Sequence, residues 1–210
     1  MKITATGTSE LSLPAECALV SLHVAKQGPD RRTVVEGTGS VAEQVREVLA
    51  GSIADGGGRE LRLSSLRTWT DIPTDHRGRR TEARYGAEIR GSVIIDDLTR
   101  LADLLIALAA LDGVEVGQIG WNLKEETLVR MEPAALREAF GAAQRRAKWI
   151  AEAAGLSSVS AVSVQDDRGS RSFTGAIFKA ASFGEASAPL RLDPEDVDVS
   201  ASLTVEFEAL

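Results

Sequence analysis

Residues 197–210 read VDVSASLTVEFEAL, and apolar and polar side chains alternate along this stretch without a break. The apolar positions are Val197, Val199, Ala201, Leu203, Val205, Phe207 and Ala209. A period of two places successive side chains on opposite faces, which is typical of a strand with one face in a core and the other in water. The sequence therefore predicts that this stretch is an integral, half-buried strand of a sheet.

The same reasoning predicts the elements that precede this strand. Strands are expected at 3–13, 15–27, 60–72, 80–95, 114–125 and 158–166, and helices at 30–50, 97–111 and 133–154. The last of these helices has Pro133 in its first turn and Gly155 just past its end. Residues 60–72 and 80–95 are predicted to form a hairpin through the polar turn 74–78. Residues 168–194 lack a sustained period, so we expect a long loop there.

The order of these elements predicts an α+β fold. Residues 15–125 follow the order β-α-β-β-α-β, which indicates a ferredoxin-like core. The additional helix and strands are expected to form an extended, mainly antiparallel sheet beside that core. We predict one domain over residues 1–210, with 15–125 as its core and 1–14 plus 126–210 as a second lobe.

Composition excludes several classes of partner. The chain has 210 residues and a formal net charge of −7, which disfavours binding to nucleic acids or to anionic membrane surfaces. Cys17 is the single cysteine, so no intrachain disulfide is expected. Residues 1–7 lack the apolar run of a signal peptide, and no apolar segment approaches the ~18 residues of a membrane span. We therefore expect a cytoplasmic protein without nucleic-acid or membrane partners.

An ordered set of short stretches resembles a known family. Ile3-Thr4-Ala5-Thr6-Gly7 begins the set, followed by Pro14-Ala15 and the alternating strand to Val24. The later members are Tyr85-Gly86-Ala87, Val93, Asp97-Leu98, Ile119-Gly120-Trp121-Asn122-Leu123, residues 139–155 and the terminal strand. With these stretches the chain resembles the SIMPL domain family (DUF541) over essentially its whole length.

The resemblance carries expectations of its own. Members of that family include bacterial periplasmic proteins and an outer-membrane immunogen, and some form large ring-like oligomers. The family is loosely linked to oxidative stress and, in animals, to kinase signalling. It provides no agreed catalytic residues that could be carried over to this chain. We expect this sequence to lack a secretion signal, which would distinguish it from many bacterial members.

Residues 37–42, Gly-Thr-Gly-Ser-Val-Ala, match the spacing of a dinucleotide-binding loop. In such a site, Gly37 and Gly39 would let a helix N-terminus approach a pyrophosphate. The preceding candidate strand covers only four residues, however, and the next strand leads into a hairpin and not into another crossover helix. We therefore expect both glycines to lie within or at the edge of a helix and to contact no nucleotide.

The sequence predicts no catalytic, metal or cofactor site. Cys17 and His23 would lie about 20 Å apart along one strand, too far to share a metal ion, and His76 falls in a turn. Cys17 has no neighbouring basic residue in sequence, so we expect an inert buried thiol. A basic cluster surrounds the hairpin turn, and we interpret it as an exposed, solubilising turn, with an acidic partner surface as the alternative. Its members are Arg77, Arg79, Arg80 and Arg84.

The helix at 97–111 has a wider apolar surface than one buried face requires. Leu98, Leu101, Leu105 and Leu108 form the stripe expected to pack on a sheet. A second apolar row consists of Leu104, Ala107 and Leu111. We expect this row to form a contact in a homo-oligomer, because monomers rarely expose such a patch. Coverage of the row by the helix at 133–154 is the alternative.

Two functional hypotheses follow. The first is a non-enzymatic, self-assembling structural or interaction protein of the SIMPL type, with a link to stress implied by the resemblance. The second is a small-ligand or nucleotide-binding protein that uses the Gly37–Gly39 segment or a pocket under the 168–194 loop.

Overall fold

The computed structural model describes residues 1–73, 80–167, 177–179 and 192–210. This part of the chain contains three α-helices and two separate sheets, which confirms the α+β class. The described residues divide into two compact units, one formed by 1–15, 122–167 and 194–210 and the other by 16–73, 80–121, 177–179 and 192–193. The predicted turn at 74–78 and most of the predicted 168–194 loop lie outside the described residues.

The first unit contains a three-stranded antiparallel sheet. Strands β1 (Lys2–Leu13), β9 (Val197–Ala209) and β7 (Val159–Asp166) lie in the order β1-β9-β7. The register between β1 and β9 continues unbroken from Lys2 opposite Glu208 to Leu13 opposite Val197. Most apolar side chains of β9 are buried and Ala201 is half-buried, so the terminal strand predicted from the alternation is confirmed. It is the central strand of this sheet.

Helix α3 (Glu125–Ala153) covers one face of this sheet with small side chains. Its buried alanines recur at every fourth position, namely Ala135, Ala139, Ala143, Ala147 and Ala151. Because residues four apart share a helix face, these alanines form one smooth stripe. The sequence pattern also predicts one apolar face for this helix, formed by Leu136, Phe140, Ala143, Ala147, Ile150 and Ala154. That prediction was partly wrong, since Ile150 is 40% exposed and Ala154 lies just past the helix end. Phe140 flanks the stripe and packs on Phe207 with ring centroids 6.3 Å apart.

The predicted start of this helix at residue 133 was wrong. The helix begins at Glu125, so Pro133 lies inside it and the preceding strand β6 ends at Asn122. Proline removes the hydrogen bond to the carbonyl four residues earlier, here that of Val129. Val129 is 60% exposed, so water can solvate that carbonyl. The negatively charged side chains of Glu125 and Glu126 stabilise the first turn because they interact favourably with the positive N-terminal end of the helix dipole.

The second unit contains a six-stranded sheet. Its elements in chain order are β2 (Cys17–Gly28), α1 (Arg31–Ala54), β3 (Gly58–Leu63), β4 (Arg67–Asp71), β5 (Arg84–Ile95), a 3-10 turn (Leu98–Arg100), α2 (Leu101–Ala109), β6 (Val114–Asn122) and β8 (Ile177–Lys179). The strand order is β3-β5-β2-β6-β8, with β4 also paired to β5. The ferredoxin-like description of residues 15–125 stays a prediction.

The predicted antiparallel pairing of residues 60–72 with residues 80–95 is confirmed, but the first arm is divided into two strands, β3 and β4, which both pair with β5. The prediction of a loop throughout residues 168–194 was wrong. Strand β8 lies within residues 168–194, where a loop was expected, and pairs with β6 through Ile119 and its neighbours. A three-residue strand is too short to show a period, so tertiary pairing and not a local pattern defines it.

The helices of this unit agree more closely with the predictions from the sequence. Helix α1 begins after Asp30, whose carboxylate accepts a hydrogen bond of 2.7 Å from the Thr33 backbone N–H. The sequence pattern predicts an apolar stripe on this helix, formed by Val34, Val41, Val45, Val48 and Leu49. Four of these residues are buried, whereas Val48 is only half-buried. Helix α2 buries Leu101, Leu105 and Leu108 as predicted, while Leu98 in the preceding 3-10 turn is half-buried.

Candidate functional site

Among the described residues, strand β1 pairs with another strand on one side only. Met1 and Ala209 exchange two backbone hydrogen bonds of 2.7 Å, so they form a hydrogen-bonded pair of the antiparallel ladder. Such pairs alternate along a ladder. The odd-numbered residues of β1 therefore bond to β9, whereas the N–H and C=O groups of Thr6 and Thr8 point away from it. No strand among the described residues pairs with that side of β1.

A groove runs between this open edge and helix α3. It has a volume of about 580 Å³ and is lined by Thr6, Gly7 and Thr8 on one side. The helix contributes Ala142, Arg145, Arg146, Trp149, Ile150 and Ala153. A neighbouring cavity of about 500 Å³ shares Thr8 and Arg145 and extends the groove along the strand to Glu10.

The groove walls are fixed by close packing. Gly7 faces the alanine stripe of α3, where it leaves room for the backbone of Ala139 and Ala143. Ser9 adds a hydrogen bond of 2.7 Å from its hydroxyl to the carbonyl of Ala135. The strand and the helix thus pack directly against each other at Gly7 and Ser9, and the groove lies beside this contact. Sites built on regular elements in this way are well defined in shape.

The helix side of the groove combines an apolar surface with two cations. Trp149 is 66% exposed and Ile150 is 40% exposed, although both side chains are large and apolar. Arg145 and Arg146 add positive charge to this side, and Arg145 also borders the neighbouring cavity together with the carboxylates of Glu10 and Glu138. Open backbone groups, an exposed aromatic ring and cations are the features that recognise an extended segment with apolar and acidic side chains.

Strand β7 is the other edge of the same sheet. Its residues Val162 and Val164 are 56% and 54% exposed. The pairing with β9 shifts between Ala161 and Ser163, so Val162 is the extra residue of a bulge. No described strand covers the outer side of β7. Among the described strands, both outer strands of this sheet therefore pair on one side only, β1 beside the groove and β7 with its exposed valines.

A charged network lies on the sheet of the second unit. The His23 ring lies 2.9 Å from a Glu88 oxygen through Nε2 and 3.7 Å from Glu115 through Nδ1. Arg67 and Arg90 each approach the other Glu88 oxygen at 3.5 Å. The hydrogen bond from His23 is the largest influence and lowers the pKa of Glu88; desolvation raises this pKa, but the charges of Arg90, His23 and Arg67 also lower it, and the net shift is downward. These residues come from strands β2, β4, β5 and β6, so the network ties four strands together.

Glu88→Gln is expected to reduce the loss of stability in acid. Because the pKa of Glu88 is lowered in the folded state, the unfolded chain binds the proton more readily. The resulting stability is present above the ordinary pKa of 4.5 and is lost as the pH falls through the lowered value. Thermal midpoints measured between pH 3 and pH 7 should therefore fall less steeply in the variant than in the unmodified chain.

Glu115→Gln is the control for this measurement. The Glu115 side chain is 79% exposed and lies farther from His23 than Glu88 does. The thermal midpoint of Glu115→Gln should therefore fall with decreasing pH as steeply as that of the unmodified chain. If the thermal midpoints of Glu88→Gln and the unmodified chain fall equally between pH 7 and pH 3, the contribution of ionised Glu88 to stability is contradicted.

The glycines of residues 37–42 lie in the middle of helix α1, as predicted. A pyrophosphate loop requires the free N–H groups of a helix N-terminus, and α1 begins six residues before Gly37. The Gly37–Gly39 segment thus lacks the geometry of a dinucleotide fingerprint. The pocket expected under the 168–194 loop lies outside the described residues.

Gly39→Ala is expected to stabilise the chain by about 1 kcal/mol, because alanine is the better helix former. A methyl group on Gly39 meets no atom within 4 Å. On Gly37 it would lie 3.2 Å from the Lys26 side chain, so Gly37→Ala should gain less. Urea unfolding checks this order, and a loss of stability in Gly39→Ala would contradict it.

The other candidate residues are dispersed. Leu104 and Leu111 are half-buried and Ala107 is exposed, and the adjacent Ile106, which the sequence reasoning missed, is 51% exposed. Cys17 is buried, whereas His76, Arg77 and Arg79 lie outside the described residues. Arg80 and Arg84 are exposed. Among the described residues there is no cluster of three or more metal-ligating side chains, and no helix has the length and hydrophobicity needed to span a bilayer.

Comparison with known proteins gives one family match. The sequence model of a family described as "SIMPL: Protein of unknown function (DUF541)" matches residues 3–207. No curated protein matches the chain. The matched range extends from β1 into β9 and so includes residues of both units.

Proposed function

We propose that this chain, which belongs to the SIMPL family (DUF541), acts without catalysis as a self-assembling structural or interaction protein. The observation that carries this proposal is the groove beside β1, where Trp149 is 66% exposed next to unpaired backbone groups. An exposed indole ring beside an open strand edge is an unfavourable surface for a chain that stays alone in water. Binding of another polypeptide there would bury the ring and pair the edge.

The chemistry of the groove favours polypeptide over small-molecule recognition. The walls provide a strand edge and a helix flank, and these features extend over several residues from Thr6 to Glu10. A binding surface of this length matches an extended main chain. Arg145 and Arg146 provide positive charge on the helix side, and Glu10 and Glu138 provide negative charge in the neighbouring cavity, so the surface can bind a segment with side chains of mixed charge.

A second apolar surface of the protein is the row Leu104, Ala107 and Leu111, which lies on and just after α2. Ile106 enlarges it, because this side chain is 51% exposed on the same short helix. Apolar side chains gathered on one helix are typical of contacts between subunits. We propose this row as an additional subunit contact.

Light scattering on a size-exclusion column tests self-assembly. Over micromolar concentrations we expect a mass that is a multiple of the 22.3 kDa chain. A mass of one chain at every concentration would contradict the proposal. Leu104→Glu examines the α2 row separately: a smaller assembly supports a contact there, and an unchanged mass removes this helix from the interface without affecting the rest of the proposal.

A further inference from the structure

We infer that strand β1 of one copy pairs antiparallel with β1 of a second copy, so that two three-stranded sheets join into one sheet of six strands. The inference rests on the proposed self-assembly and names the contact that forms it. Its starting point is that, among the described strands, β1 pairs only with β9. The other side of β1 borders the groove.

The backbone of β1 is suitable for this pairing. The hydrogen-bonded pair Met1–Ala209 and the unbroken register with β9 leave the even-numbered residues, from Lys2 to Glu10, with N–H and C=O groups that point away from β9. Two strands form an antiparallel ladder when residues of this kind lie opposite each other. Even-numbered residues must therefore face even-numbered residues of the second copy.

One such register brings opposite charges together. The even-numbered side chains are exposed on the face of the sheet that α3 does not cover, and they are Lys2, Thr4, Thr6, Thr8 and Glu10. In the register that places Thr6 opposite Thr6 of the second copy, Lys2 lies opposite Glu10. Thr4 and Thr8 then also lie opposite each other. Opposite charges and pairs of threonines are favourable neighbours across strands, so this edge is complementary to itself.

Both charged side chains are accessible for the contact. The Lys2 ammonium lies 2.6 Å from Glu206, but the Lys2 side chain is 75% exposed and an ammonium has three N–H donors. It therefore has donors left for a second carboxylate. Glu10 is exposed and borders the cavity that contains Arg145 and Glu138. The lysine of a second copy would add a positive charge beside these two carboxylates.

The helix side of the groove favours the same arrangement. Residues that lie opposite each other in a ladder point to the same face, so α3 of both copies would cover one face of the joined sheet. Trp149 and Ile150, which are 66% and 40% exposed beside β1, would then approach the second copy. Arg145 shares its cavity with Glu10 and Glu138, so each copy brings both signs of charge to the contact.

The pairing has a consequence for the form of the assembly. Each copy contributes the same strand, so the contact is isologous and closes on two chains. A larger assembly therefore requires a second contact, such as the row on α2.

Disulfide trapping tests the register. Thr6→Cys would place two thiols opposite each other in a hydrogen-bonded pair, where Cα atoms lie about 5.5 Å apart, within the range of a disulfide. Cys17 is buried, so the introduced thiol is the one that reacts. After mild oxidation we expect most of this variant to migrate as a covalent dimer on a non-reducing gel.

Thr8→Cys is the matched control. Thr8 is equally exposed on the same strand, but in this register the two copies of Thr8 lie roughly 13 Å apart along the paired strands. This variant should therefore migrate as a single chain after the same oxidation.

Charge reversal tests the contact between Lys2 and Glu10. Lys2→Glu and Glu10→Lys each place like charges opposite each other, so each variant alone should have half the mass of the unmodified assembly. A one-to-one mixture should regain the full mass, because each positive side chain then faces a negative one. The double variant should regain it as well. Trapping through Thr6→Cys keeps Lys2 and so decides the inference even if loss of the Lys2–Glu206 ion pair lowers the thermal midpoint of Lys2→Glu.

Several outcomes would overturn the inference and leave self-assembly in place. These are an unmodified chain that assembles while Thr6→Cys stays uncrosslinked, equal trapping of Thr6→Cys and Thr8→Cys, and folded charge variants whose mass is unchanged or is not restored by mixing. An unmodified chain with the mass of a single chain would instead refute self-assembly as a whole.

Discussion

A chain shortened by residues 197–210 is expected to lose the cooperative thermal unfolding transition of its first unit. The deletion removes β9, which pairs with β1 on one side and β7 on the other. Neither outer strand has another partner among the described residues, so both would lose their hydrogen-bonded ladder. Circular dichroism during heating measures the outcome directly.

The energetic reason is the amount of apolar surface that β9 buries. Five large side chains of this strand are at most 6% exposed, namely Val197, Val199, Leu203, Val205 and Phe207. At about 1.5–3 kcal/mol each, their burial contributes roughly 8–15 kcal/mol. A whole domain is stable by only about 5–15 kcal/mol. The remaining residues cannot compensate for a loss of that size.

Two adjacent substitutions provide a finer version of this test. Phe207→Ala should cost about 3–5 kcal/mol, since it opens a cavity beneath Phe140. Glu208→Ala changes the exposed neighbour on the opposite face and should stay within about 0.5 kcal/mol. A shortened chain that melts cooperatively near the midpoint of the full chain would contradict the central position of β9, as would equal effects of the two substitutions.

Strong local periodicity made much of the fold predictable. The alternation of β9 and the stripe of α1 each follow from residues that are neighbours in sequence. The start of α3 could not be predicted in this way, because Pro133 is usual in a first turn. Inside this helix the proline is tolerated where Val129 is 60% exposed. Strand β8 was missed because its pairing partner β6 lies more than fifty residues earlier.

The groove could not be predicted because its two walls are distant in sequence. Thr6 and Thr8 belong to the first strand, and Trp149 belongs to a helix about 140 residues later. Two weaker signals were present. Alanines at every fourth position indicate a helix that packs closely, and Trp149 falls outside that stripe, where a polar residue is expected. The apolar row Leu104, Ala107 and Leu111, by contrast, was found from sequence because its members share one short segment.

Gly7→Ala is expected to destabilise the chain by about 3 kcal/mol or more, at the upper end of the effects of overpacking. The added methyl group would fall on the carbonyl oxygen of Ala139 and lie 2.9 Å from the Cβ of Ala143. The carbonyl belongs to the backbone of α3, so no rotation of a side chain can relieve the collision. Either the helix must move away from β1 or the strand must distort.

Urea unfolding of Gly7→Ala and Gly39→Ala measures the same chemical change in two surroundings. The first variant should unfold at a clearly lower urea concentration than the unmodified chain, and the second at an equal or higher one. Gly7 also lines the groove, so movement of α3 should reduce assembly in Gly7→Ala together with stability. Trp149→Glu should reduce assembly alone, because its side chain lies outside the packed stripe. An unchanged midpoint for Gly7→Ala would mean that β1 and α3 are separated enough to admit a methyl group, and the groove between them would then lack the fixed walls on which strand binding depends.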